Sequence, residues 1–163
     1  MILLEFSNFR QVAGPLIQAY DELMRIKWKT KQWLTDQDLK EGHGFAFALS
    51  FSETISEQLV IEAIGLLNLR RAELSEVSAA ELRLAFFQSI YKSFLTLKRT
   101  PATIQHQYLQ GIDPLRRACL FLRHKVFCDI DELVKIFSQD RHLLMNELNL
   151  GRQTLIEAMG MEF

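Results

Sequence analysis

Between Lys92 and Lys125 the chain carries Lys92, Lys98, Arg99, Arg116, Arg117, Arg123 and Lys125 against one acid, Asp113. That is a local charge of +6 in a protein whose formal net charge is −1. Massed guanidinium and ammonium groups neutralise phosphate, so a near-neutral molecule can still meet a polyanion locally. A solvated helix face, or a docking surface for an acidic protein, would use the same residues. Downstream lies Leu148-Asn-Leu-Gly-Arg-Gln-Thr-Leu155, between two short amphipathic segments. Leu144 and Leu148 read as the inward anchors of a first helix. Asn149 tolerates the left-handed φ of a tight turn. Leu150 and Leu155 anchor a second helix, opened by Gly151, Arg152, Gln153 and Thr154, and Arg, Gln and Thr read base edges or hold phosphates. This is the pattern of a helix-turn-helix. Residues 126–163 pull the other way, with Lys135, Arg141 and Arg152 against Asp129, Asp131, Glu132, Asp140, Glu147, Glu157 and Glu162. Such acidity implies weak DNA binding by a single copy.

Catalytic and metal chemistry finds less to work with. Arg117 and His124 stand seven residues apart, about two helical turns, on one face of a helix. Cys119, His124, Cys128 and His142 are four ligand types for zinc, but Cys119-x4-His124-x3-Cys128 lacks the tight pairs of structural sites, and no metal or other cofactor is expected. His43 and His106 are scattered. Two cysteines are too few for a disulfide framework, which points to free thiols in a reducing compartment. There is no glycine-rich phosphate loop, no Gly-x-Ser-x-Gly and no His-Glu-x-x-His, so no enzyme is expected.

Three resemblances attach to these residues. Leu148 to Leu155 resembles the turn and recognition-helix start of Fis-type and resolvase-type helix-turn-helix proteins. It departs from them at Met145, where a small alanine is usual, and at Asn149, where glycine is usual. From Leu115 to Leu155 the chain is similar to the C-terminal domain of the RNA polymerase alpha subunit. That likeness implies that Arg117 contacts DNA and that Gly151 with Arg152 forms a backbone-binding turn. Here the chain departs at Leu120, where that family has a DNA-contacting asparagine, and is a few residues longer before Asn149. Arg117 and His124 also resemble the Arg-x(4–6)-His pattern of HEPN ribonucleases, with Ala118 at a usually polar place.

The elements that must position these residues are helices. Proline (3) and glycine (7) are scarce, and 48% of the 163 residues are hydrophobic. That composition predicts an all-α helical bundle with a C-terminal helix-turn-helix-like unit. Pro15 opens a helix to about Leu34, with Lys27, Lys29 and Lys31 on a solvated face. Thr35-Asp36 caps a short helix ending at Gly42-His43-Gly44. Phe45, Phe47, Leu49 and Phe51 alternate like a strand, but nothing pairs with them, so the run reads as helical or irregular. Thr54-x-x-Glu57, Ser78-x-x-Glu81 and Asp129-x-x-Glu132 are capping boxes. Thr100-Pro101 and Asp113-Pro114 are cap-then-proline starts, and Ser138 can cap the helix bearing Leu143, Leu144 and Leu148. Residues 1–100 read as a Phe-rich bundle and 101–163 as the helix-turn-helix-like unit, with the seam at Thr100-Pro101 and a core that the two can share.

The N-terminus meets Glu5 without a basic region and reads as no signal peptide. No run approaches the ~18 apolar residues of a membrane span. The expectation is a cytoplasmic DNA-binding transcriptional regulator, or a DNA-binding subunit of a larger complex, acting as a homodimer. Arg116, Arg117, Arg123 and Lys125 would hold the DNA backbone, and Arg152, Gln153 and Thr154, with Gly151, would meet bases or phosphates. The alternatives are a non-enzymatic helical adaptor for an acidic protein and a HEPN-like ribonuclease.

Overall fold

Residues 34–74, 76–97 and 112–158 are described by the computed structural model. They form seven helices: α1 (Asp36–Ser50), α2 (Glu53–Leu69), α3 (Arg71–Leu74), α4 (Ala79–Thr96), α5 (Pro114–His124), α6 (Ile130–Phe137) and α7 (Arg141–Ala158). The described residues contain no strand, and none of their helices is long and apolar enough to cross a membrane. The helix proposed after Pro15, the lysines 27, 29 and 31, Lys98, Arg99, Thr100-Pro101 and His106 lie outside the described residues.

Most helix starts follow the caps visible in the sequence. Thr35, Ser78 and Asp129 each close a reciprocal box with Asp38, Glu81 and Glu132. Asp113 accepts from the Leu115 N–H, with Pro114 as the first helical residue. Each side-chain oxygen satisfies a backbone donor that has no partner inside the helix. Two caps differ from expectation. Ser52, not Thr54, caps α2, because Phe51 already turns the chain at φ 52°. Ser138 closes α6 at φ 52°, and the Asp140 carboxylate instead accepts from the N–H groups of His142 (2.8 Å) and Leu143 (3.4 Å) at the start of α7.

The first helix does not stop at Gly42-His43-Gly44. It runs on to Ser50 and takes in the alternating phenylalanines. The two glycines are there for space. A Cβ at Gly42 would stand 2.3 Å from Phe86, and one at Gly44 2.5 Å from Phe121, so the rings of α4 and α5 press directly on the backbone of α1.

α1 packs on α2, α4 and α5; α4 also carries α2 and α6; α7 lies on α5 and α6. One buried apolar cluster runs through all of them, from Leu34 to Leu148. Its aromatic heart joins α1, α4 and α6. Phe45 meets Phe87 (centroids 5.6 Å) and Phe137 (5.9 Å) edge-on, and Tyr91 meets Phe137 at 4.9 Å. Such edge-to-face contacts are the favoured geometry of aromatic rings.

The expected turn at Asn149 is absent. α7 continues unbroken from Arg141 to Ala158, and Asn149 is not among the residues with positive φ. Leu144, Leu148 and Gly151 are buried on one side of a single helix. Packing of that side outweighs the poor helix propensities of Asn and Gly, which cost about 1 kcal/mol each at most.

Candidate nucleic-acid interface

The basic stretch does not present one surface. Arg117, one turn into α5, points inward and is 9% exposed. Its Nε donates to the Ala48 carbonyl (2.9 Å), one Nη to Leu49 (3.0 Å) and the other to Ile112, while the guanidinium lies 4.1 Å over the Phe51 ring. Ala48 and Leu49 end α1, where carbonyls lack helical partners. The arginine supplies them. Burial pulls its pKa down to about 10, against the opposing pull of Asp113, so it stays charged at neutral pH. This corrects its expected place on the DNA backbone, and it separates the Arg117–His124 pair, since Arg117 is interior and His124 exposed.

Arg116 is partly exposed and donates to Glu147 (2.8 Å), a bond that raises its pKa further and ties α5 to α7. Gly151 sits buried where these two helices cross. A Cβ there would stand 2.8 Å from Leu120 Cδ1 and 2.9 Å from Arg116 Cγ. Its role is close approach of helices, not a turn over phosphate. Thr154 Oγ1 donates to the Leu150 carbonyl (2.8 Å), and Gln153 to Glu157 (3.2 Å).

Arg123, His124 and Arg152 do come together. His124 has its pKa lowered by burial first, then by Arg152 and Arg123. The cluster, with Lys125 as the C-cap, lies at the end of α5, where the helix dipole favours cations. Cys119 and Cys128 are buried thiols pushed up to about 12 by burial, hence inert, and no group of metal-binding side chains is gathered among the described residues.

Two features were not read from the sequence. First, α6 and α7 are joined by only Ser138, Gln139 and Asp140, with Ser138 left-handed. The turn between these two helices lies about ten residues before the one expected at Asn149. On α7, His142, Asn146, Asn149 and Gln153 are exposed and spaced four, three and four apart, so they form one outward row. The cap at Asp140 and the inward Leu144 and Leu148 were the sequence signal for it. Second, Phe127 stands 81% exposed at φ 62° between buried Val126 and Cys128. The loop is pinned by Cys128 N–H to Leu122 O (3.0 Å), Arg123 Nη1 to Cys128 O (2.9 Å) and Arg83 Nη2 to Val126 O (3.4 Å).

Compared with models of protein families, with curated proteins and with solved structures, the chain matches none.

Proposed function

We propose that the chain is a DNA-binding protein, a regulator or a subunit of a larger complex, that reads duplex DNA with α7. The observation carrying this is the exposed row His142, Asn146, Asn149 and Gln153 on a helix that follows another after a three-residue turn. Asn and Gln amides pair with adenine N6 and N7 in the major groove, and the helix before the turn crosses the DNA backbone. Arg123, Lys125 and Arg152 are the cations offered to phosphate. Asp129, Asp131, Glu132 and Asp140 border the same helices. They weaken the attraction, so one copy binds loosely and useful affinity needs a second copy or a complex.

Fluorescence anisotropy on duplexes selected from a random pool tests this. Asn146→Ala and Asn149→Ala should each cost ~1–3 kcal/mol on the selected sequence and little on others. Arg123→Gln with Arg152→Gln should weaken all duplexes and flatten the salt slope by up to ~0.9 per lost contact. Absence of salt-dependent retention on any duplex at low ionic strength refutes the proposal. Phe127 favours the second reading, a helical adaptor. A clamped, outward aromatic beside Arg123 and Lys125 is the form of an anchor for a partner with an apolar pocket and an acidic rim.

A further inference from the structure

α2 buries Ser56, Leu59, Val60, Ala63 and Leu67 against α1 and α4, and among the described residues no helix packs on its opposite side. That side carries large apolar side chains in the open: Ile61 is 50% exposed, Leu66 43% and Leu69 85%. Gly65 lies midway between Ile61 and Leu69, and a Cβ built on it would meet nothing within 4 Å. The row is therefore a shallow saddle: apolar at both ends, with bare backbone in the middle where a second helix can approach closely. Its charges differ on the two sides of Gly65. Glu57 and Glu62 lie on the N-terminal side, and Arg70 and Arg71 follow the last residue of α2, with Arg70 also bonded to Glu73 (3.0 Å).

We propose that two copies of this chain pair through α2, antiparallel, about a two-fold axis at Gly65. With a rise of ~1.5 Å per residue, Ile61 and Leu69 stand about 6 Å to either side of the axis. Antiparallel pairing then sets each Ile61 against the partner's Leu69 and brings the two glycines together. Glu62 and the partner's Arg70 fall about 3 Å out of register on the same rise, within reach of two long side chains. Parallel pairing would oppose Glu62 to Glu62 and Arg70 to Arg70. With Glu73 counted, the C-terminal side is net basic and the N-terminal side acidic, so the patch complements itself when reversed, which is what an isologous interface requires. A foreign partner of one charge sign would match only half of it.

The helix has 17 residues. At about 25 Å long, a pair of them buries less than the ~1,600 Å² of a standard interface, so association should be weak and dependent on concentration. The inference goes beyond the DNA reading and stands without it.

Sedimentation velocity on the full chain, from low micromolar to several hundred micromolar, should show a monomer–dimer equilibrium. Leu69→Glu should leave a monomer with an unchanged far-ultraviolet circular dichroism spectrum, since this side chain is exposed. Glu62→Arg places like charges at both ends and should raise the dimer Kd about tenfold, and Glu62→Arg with Arg70→Glu should restore it. A monomer at every concentration overturns the proposal. So does a dimer indifferent to Leu69→Glu and to the charge reversal, because it would be using another face.

Discussion

Removing Arg117 would strand the carbonyls of Ala48, Leu49 and Ile112 in the interior. A buried acceptor without a donor costs ~1–3 kcal/mol, and a lost charged hydrogen bond is at the upper end. Arg117→Gln is therefore expected to lower stability by about 2–4 kcal/mol, read from the urea midpoint. Arg117→Lys should recover little, because an ammonium cannot fork to three carbonyls. A variant as stable as wild type would mean that these bonds do not hold α1. In the sequence, Arg116 and Arg117 are equivalent cations. Nothing local tells which one turns inward, since the partners at Ala48 and Leu49 lie 69 and 68 residues away.

His43 makes a second test at this scale. It is buried, with Nε2 3.4 Å from the Glu53 carboxylate, and burial lowers its pKa below 6.5. The unfolded chain thus takes up the proton first as pH falls. Stability is full above about pH 6.5 and declines from there toward the lower folded value. His124, lowered for related reasons, adds in the same direction. Glu53, raised by burial and by Glu57, acts oppositely but in the carboxylate range below. The urea midpoint should fall between pH 7.5 and 5.5, and His43→Gln should flatten that fall. Equal slopes in both proteins would remove His43 as the cause.

At the scale of the element, α7 separates two accounts of Asn-Leu-Gly. A left-handed Asn149 would make Asn149→Ala costly. In a continuous helix the same change should be neutral or stabilising by up to ~0.7 kcal/mol, from helix propensity. Gly151→Leu should cost ~1–3 kcal/mol by forcing Leu120 and Arg116 aside, although leucine is the better helix former. Thermal melts of the two variants decide it, and loss of stability in Asn149→Ala would reinstate a turn. Caps such as Ser78, Asp113 and Asp129 were legible because their chemistry is local. The fates of Asn149, Gly42 and Gly44 were not. Each depends on a ring or helix arriving from far along the chain, and propensity carries no trace of that.

For the whole molecule, the all-α class follows from composition and period, and the paired-helix topology from the order of caps. The single core was only half visible. Phe137 packs edge-on against Phe45 and Tyr91, although the sequence invites a division near residue 100. The turn expected at Asn149 is absent, and the short link between α6 and α7 at Ser138 was not legible as a turn because it has no glycine to mark it. The guanidinium that closes α1 has a further effect, on how the chain folds. The last carbonyls of α1 and the arginine that satisfies them lie 69 and 68 residues apart in the sequence, so neither is complete without the other. A state with α1 to α4 assembled and α5 detached keeps those carbonyls without their arginine and Phe51 without its stacked cation. That raises half-folded states in free energy relative to both ends of the reaction. The cost of loop closure then falls before the barrier's top, which favours slow, all-or-none folding over stepwise assembly of two parts.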